Sequence, residues 1–382
     1  MASSNPIPLN TVSITDRERI YLERALEDAH LSGDGQFTKA CTALLRQLTG
    51  ADAVLMTHSC TAALEMAALL ADVSVGDEVI MPSYTFVSTA NAVVLRGATP
   101  VFVDVEPDTL NIDPECVRAA ITQNTKAIFA VHYAGLPADM TALTDLAKAN
   151  DLLLVEDAAQ ALGSHHNGKP AGSLGDLAAF SFHATKNIVS GEGGALTINK
   201  NTLIERAEIL RDKGTNRRKF LDGDVDKYTW VDIGSSYLPG ELTCAFLLAQ
   251  LERYESINSA KRVLAARYRT AFADFAKQGR IQLPHPAVET AGNAHIFYLL
   301  LENPADRDKF INVMRQAKIQ TPFHYVPLHL APAGQKYARS HGDLSVTNDR
   351  SARLVRLPIY PDMTLETQDH VIAVAKSYLS GE

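Results

Sequence analysis

A chain of 382 residues, 46% of them apolar, is long enough to bury a sizeable core and to form two domains or one large and one small. Its formal net charge of −8 carries no domain-wide basic excess and argues against nucleic-acid binding. No apolar run is long enough to cross a bilayer, no basic-then-apolar leader opens the chain, and Cys41, Cys60, Cys116 and Cys244 lack metal-ligand spacing, which together favour a reduced, cytoplasmic enzyme.

In chain order, residues 16–30 carry the charged, amphipathic pattern of a helix, ended by the turn residues Ser32-Gly33-Asp34-Gly35. A second helix is predicted over 38–48, closed by Gly50, and a short strand over 53–57. Residues 60–70 are helical in pattern and apolar nearly all round, which predicts burial. The start of that helix, Ser59-Cys60-Thr61, suits a phosphate through its free N–H groups and dipole, and Ser59 and Thr61 serve equally as ordinary N-caps.

Strands then alternate with helices. Val79-Ile80-Met81 is followed by Pro82-Ser83-Tyr84-Thr85-Phe86, and Val101-Phe102-Val103 by Asp104. Ala127 to Val131 lead to His132-Tyr133-Ala134-Gly135. Phe86, at a strand end, offers a ring face to a planar heteroaromatic group, or is core. His132 and His183 read most simply as satisfied core histidines.

Leu152-Leu153-Leu154-Val155-Glu156-Asp157 is a buried strand in the style of a parallel sheet, with two carboxylates at the C-terminal end, where such sheets place ligands. Asp157 is the candidate partner for a protonated ring nitrogen, because Glu156 points to the opposite face; Asp157 would equally cap the next helix. Ala179-Phe180-Ser181-Phe182-His183-Ala184-Thr185-Lys186-Asn187 runs from an apolar strand into a polar turn, with Gly191-Glu192-Gly193-Gly194 behind it. Burial there lowers a lysine's pKa and makes Lys186 a usable amine nucleophile, able to form a Schiff base with an aldehyde cofactor. The sheet is expected to have about seven strands.

Arg211 to Lys219 form a basic segment able to grip a diphosphate, although such a segment is also an ordinary solvated loop. A long charged helix is predicted after Gly240, running towards Phe275 and linking a large domain, residues 1–250, to a smaller one, 251–382. In the smaller domain, 296–301 reads as a strand, 306–317 as a helix, 324–329 as loop and 365–379 as a last helix.

Across essentially its whole length the chain resembles the pyridoxal-phosphate-dependent nucleotide-sugar aminotransferases of the DegT/StrS type. The resemblance rests on Ser181 to Asn187 with Gly191 to Gly194, on Glu156-Asp157-Ala158-Ala159-Gln160, and on Pro82 to Phe86, in that family's order. It implies fold type I, aspartate aminotransferase-like: a large α/β domain with a mixed seven-stranded sheet between helices and a smaller C-terminal α+β domain. Lys186 would carry the cofactor, Asp157 would pair with its ring nitrogen, Gln160 would reach its hydroxyl and Phe86 would stack on its ring. The phosphate would take N–H groups of Cys60 and Thr61 and the Ser181 hydroxyl. His183, Lys213, Arg217, His324 and Tyr325 would face substrate, and no metal is implied.

Two departures stand out. Many relatives have glycine in place of Cys60, and many have an asparagine that reaches the phosphate of the neighbouring subunit where this chain has Ser236. Ser236 is shorter, so a water would complete that contact. Asp226-Lys227-Tyr228-Thr229-Trp230, Gly234-Ser235-Ser236-Tyr237-Leu238 and Ser59-Cys60-Thr61-Ala62 resemble the branch of the family that converts dTDP-4-keto-6-deoxyglucose to dTDP-4-amino-4,6-dideoxygalactose for surface polysaccharide. The expected partners are a nucleotide-linked keto sugar, L-glutamate and a second copy of the chain in a homodimer with shared active sites, with no nucleic acid and no membrane. Amination at another carbon or with other stereochemistry, and a non-catalytic sensor of the same fold, are the alternatives.

Overall fold

The computed structural model describes residues 6–221, 223–284 and 290–381. Its main sheet runs, in spatial order, Ala53–Thr57, Gly194–Ile198, Leu177–Ser181, Leu153–Asp157, Thr125–Val131, Glu78–Pro82, Thr99–Val103 and Arg339–Ser340. Only Gly194–Ile198 is antiparallel to its neighbours; every other pairing in the sheet is parallel, so the sheet is mixed.

The sequence predicts seven of these strands, and the sheet has eight. Arg339–Ser340 is too short for any periodic signal. It is fixed instead by Arg339, whose Nε and Nη2 donate to the two carboxylate oxygens of Glu78 at 2.7 and 2.8 Å.

Helices cover both faces of the sheet, which is why its parallel strands are continuous apolar runs. Cys60–Leu70 buries every residue except Thr61 and Glu65, packing on Val79, Met81, Phe102 and Val155. Pro114–Ala120 and Met140–Ala149 cover Ile80, Val101, Ile128 and Leu154 on the other face.

The single long helix predicted after Gly240 is two helices, Glu241–Leu251 and Tyr254–Lys277. Arg253 leaves helical geometry at φ −109°, ψ 6°. The break is held from outside by the Asp16–Glu27 helix. Glu252 accepts from Arg17 at 2.7 Å and from Tyr21 at 3.0 Å, and Arg253 donates to Glu18 at 3.2 Å. These contacts lie more than 200 residues apart in sequence, so apolar periodicity cannot reveal them.

A second sheet pairs Phe297–Leu301 antiparallel with Ile281–Gln282 and with Leu354–Leu357. Phe297, Leu299 and Leu301 pack with Phe272 and Phe310, while Tyr298 and Leu300 turn the other way, onto Tyr84 and Tyr133. In the partner strand Val355 and Leu357 join the first cluster and Leu354 the second. Alternation therefore places Arg356 on the face shared by Leu354, Tyr84 and Tyr133.

Candidate active site

The Leu177–Ser181 strand runs straight into a tight double-back. Phe182 N donates to Gly193 O at 2.8 Å, Ala184 N to Gly191 O at 2.9 Å and Lys186 N to His183 O at 2.9 Å. Gly191 turns the chain at φ +83°. The loop places Lys186 at the wall of a cavity of about 680 Å³. Desolvation lowers the pKa of the Lys186 ammonium; the Cys60 thiol and the Asp157 carboxylate oppose that fall, and Arg356 adds to it.

Asn187, one residue on, pins the loop from behind. Its amide donates to Asn258 Oδ1 at 2.8 Å, and its Oδ1 accepts from Lys261 Nζ at 2.7 Å and from His295 Nδ1 at 3.2 Å. The lysine loop is thereby tied to the Tyr254–Lys277 helix and to the segment leading into the second sheet.

Asp157 closes its strand and lines the same cavity. Its Oδ2 accepts from Thr89 Oγ1 at 2.7 Å and its Oδ1 from Ala159 N at 3.2 Å. Glu156 faces the other way, where it accepts from the N–H groups of Gly172, Leu174 and Gly175 at 2.8–2.9 Å. Because Ala138 N donates to His132 Nδ1, it is Nε2 that carries the proton given to Glu156 at 2.9 Å. His132 and Glu156 are thus a satisfied buried pair outside the cavity.

Cys60 and Thr61 open the Cys60–Leu70 helix at the cavity wall. Ser59 Oγ accepts from Ala62 N at 3.1 Å and Ser59 O from Ala63 N at 3.3 Å, so the first-turn N–H groups of Cys60 and Thr61 are left facing an incoming anion. Gly194 makes the close approach possible: a Cβ there would lie 2.3 Å from Ser59 C and 2.5 Å from Cys60 N. The Cys60 thiol is buried, and desolvation, helped by Asp157, pushes its pKa well up, so the group beside the phosphate position is neutral.

Phe86, Gln160, Ser181 and His183 line the cavity too. Gln160 accepts from Ala134 N at 2.8 Å and donates to Tyr325 Oη at 2.9 Å. His183 Nδ1 meets Thr185 Oγ1 at 2.9 Å. His324 stacks on Tyr325 at 3.7 Å between centroids and meets Tyr133 Oη through Nδ1 at 2.8 Å; burial holds its pKa well below the ordinary histidine value. Lys213, Arg217 and Ser236 lie outside the cavity. Lys213 and Arg217 both close on Asp212, at 2.6 and 3.2 Å, and Ser236 is an exposed bridge partner of the same aspartate.

Three cavity or near-cavity groups carry no motif in the sequence: Thr89, His295 and Arg356. For Arg356 a signal exists, since it is the one charged side chain in the otherwise apolar strand Leu354–Leu357. The assembled wall presents a depressed-pKa amine, an oriented carboxylate, a helix N-terminus and an aromatic face. That set suits a planar aldehyde bearing a phosphate.

The model of the DegT/DnrJ/EryC1/StrS aminotransferase family matches residues 12–376. The uncharacterised protein MJ1066 of Methanocaldococcus jannaschii is 34% identical over 344 residues, 88% of each chain. Among solved structures, the aminotransferase TlmJ from Streptoalloteichus hindustanus is similar at a TM-score of 0.91 and 28% identity, over 99% of this chain and 100% of that one. Spr1654 from Streptococcus pneumoniae, a candidate sugar aminotransferase in its PLP form, is similar at 0.87 and 28%, over 98% of this chain and 99% of that one.

Proposed function

The chain belongs to the DegT/DnrJ/EryC1/StrS aminotransferase family, and from that premise we propose that it moves the amino group of L-glutamate to a nucleotide-linked keto-6-deoxy sugar. The family depends on pyridoxal phosphate, and the residues present fit that group. Lys186 offers the amine for its aldehyde, Asp157 the acid for its ring nitrogen, Gln160 a partner for its hydroxyl and Phe86 a stacking face. Cys60 N, Thr61 N and Ser181 offer donors to its phosphate. When bound, the cofactor supplies an electron-accepting ring that stabilises a carbanion.

Lys186 Nζ then accepts the proton from the donor's α-carbon and later delivers one to the sugar carbon that gains nitrogen. One amine does both only if it stays within hydrogen-bond reach, which the contacts to Asn187 support. The two halves of the reaction predict ping-pong kinetics. His183, His324 and Tyr325 line the space left for substrate.

The sugar proposed is dTDP-4-keto-6-deoxyglucose, giving dTDP-4-amino-4,6-dideoxygalactose, on the likeness of residues 226–238 and 59–62 to that branch of the family. The proposed assembly is a cytoplasmic homodimer in which Ser236 serves the phosphate of the neighbouring subunit. The exposed apolar side chains of Phe86 and Val87, beside the cavity, favour a covering partner. The observation that carries the reading is the placement of Lys186 and Asp157 on one cavity. Incubation with that keto sugar and L-glutamate, followed by NMR of the sugar product and assay of 2-oxoglutarate, tests it. Absence of both products overturns the reaction; an amine at another carbon overturns the sugar assignment alone.

A further inference from the structure

We propose that Lys261 and His295 are positioning residues for Lys186, acting together on the side-chain oxygen of Asn187, an inference that rests on the role given to Lys186 above. Asn187 follows Lys186 directly, with one peptide bond between them. An amide side chain has two N–H donors and two acceptor lone pairs. Asn187 uses all of them: Nδ2 donates to Asn258 Oδ1 at 2.8 Å and to Asn293 O at 3.2 Å, while Oδ1 accepts from Lys261 Nζ at 2.7 Å and from His295 Nδ1 at 3.2 Å. The amide cannot turn without breaking bonds on both its ends.

Every member of this network is buried. A lysine amine is costly there, and an apolar side chain would fill the space at less cost. Among the described residues no carboxylate pairs with Lys261. Its Nζ donates only to Asn187 Oδ1 and, at 2.8 Å, to His295 O. Both bonds converge on the piece of chain that holds Lys186 and on the residue that shares the task. Burial brings the pKa of Lys261 down to about 7 and holds that of His295 well below 6.5, so above neutral pH neither donor adds a charge beside the Lys186 amine.

The network also reaches the cofactor position from a second side. His295 N donates to Asn293 Oδ1 at 3.0 Å, and Asn293 Nδ2 donates to Gln160 O at 2.8 Å. Lys186 and Gln160, the residues offered to the aldehyde and to the ring hydroxyl, are therefore held by one set of buried amides. A cluster serving stability alone has no reason to end on those two. Its lever on the chemistry is distance: moving a reacting group by about 1 Å costs about 10²-fold in rate. With the Lys186 backbone clamped, only its side chain swings between cofactor and substrate.

The test mixes full-length protein freed of cofactor with pyridoxal phosphate in a stopped-flow spectrometer. The limiting rate reports attack by Lys186, and the half-saturating concentration reports binding. Lys261→Met and His295→Phe are each expected to lower the limiting rate about 10-fold and to change half-saturation by less than about 3-fold. His295→Asn, which keeps an N–H where Nδ1 stood, should recover to within about 3-fold of wild type. Because Lys261 acts through Asn187, the Lys261→Met, Asn187→Ala double variant should be no slower than Asn187→Ala alone. In holoenzyme the half-reaction with L-glutamate should slow by the same factor at unchanged half-saturating glutamate.

Variants that unfold at lower urea concentration yet attach the cofactor at the wild-type rate overturn the proposal and make the network a stability device. So do additive effects in the double variant, or a His295→Asn enzyme as slow as His295→Phe. Should Lys261→Met fail to fold, the two His295 variants decide by the same rates. Wild type that attaches the cofactor but transfers no amino group from glutamate overturns the aminotransferase reading alone, and the attachment rates still decide the clamp. Wild type that never attaches the cofactor overturns both.

Discussion

Thr89 Oγ1 donates to Asp157 Oδ2 across 2.7 Å, and Thr85 Oγ1 stands 2.9 Å behind it. The two hydroxyls fix the plane of the carboxylate that is proposed to hold the ring nitrogen. Asp157→Asn keeps the shape and removes the charge, so kcat is expected to fall by about 10²-fold to 10³-fold. Thr89→Val leaves the charge and removes one donor, at a cost of about 10-fold. Steady-state kinetics on both variants check the order; an Asp157→Asn enzyme as fast as wild type takes the carboxylate out of the mechanism.

Lys186 should react as an amine at lower pH than an ordinary lysine. Burial disfavours its charged form, and Arg356 adds to that effect. Only the neutral amine attacks an aldehyde, so the rate of cofactor attachment to cofactor-free protein should rise with pH to a plateau, with its midpoint below the usual lysine value. Asp157 acts in the opposite sense. Arg356→Met should therefore move the midpoint up and Asp157→Asn should move it down, both read from stopped-flow absorbance. Lys186→Ala should lose transamination altogether.

Lys186, Asp157 and Cys60 were legible because each sits where a strand hands over to a loop or helix, and ligands of open α/β sheets gather at such ends. Arg356 was marked only as the lone charge in an apolar strand, with nothing local to say what it faces. It reaches the cavity only because the second sheet folds back onto Tyr84 and Tyr133, a relationship between residues more than 200 positions apart. Lys213 and Arg217 show the converse: their sequence promises an anion site, yet Asp212, beside them in the chain, takes both charges in the fold. Local composition cannot decide between a nearby carboxylate and a distant phosphate.

Gly194 should govern phosphate affinity without touching the phosphate. Any Cβ there would overlap the backbone of Ser59 and Cys60, which cannot yield as a flexible side chain would. Gly194→Ala must push the Gly194–Ile198 strand off the helix start, a displacement costing about 1–3 kcal/mol. Titration of cofactor-free protein should show about 10-fold to 10²-fold weaker binding of pyridoxal phosphate, and much less change for pyridoxal, which has no phosphate. Equal weakening of both would mean that the helix start is not the phosphate site.

Lys261 should make the protein's stability rise with pH. Its Nζ is fully buried, donating to Asn187 Oδ1 at 2.7 Å and His295 O at 2.8 Å, and desolvation lowers its pKa from 10.5 to about 7. Between those two values the unfolded chain holds a proton that the folded chain has released, so stability climbs as pH rises through the window and is lost as pH falls towards 7. The slope from this one group is at most about 1.4 kcal/mol per pH unit. His295, whose pKa burial drives well below 6.5, acts in the same direction but only in acid, so the two windows do not overlap. Lys261→Met fills the same space without a titrating group. Urea unfolding of cofactor-free protein at pH 7.5 and pH 9.5 should show the wild type gaining stability relative to Lys261→Met between the two. Parallel stability curves for the two proteins would mean that Lys261 stays protonated in the fold, and that its hydrogen bonds to Asn187 and His295 outweigh the cost of burying its charge.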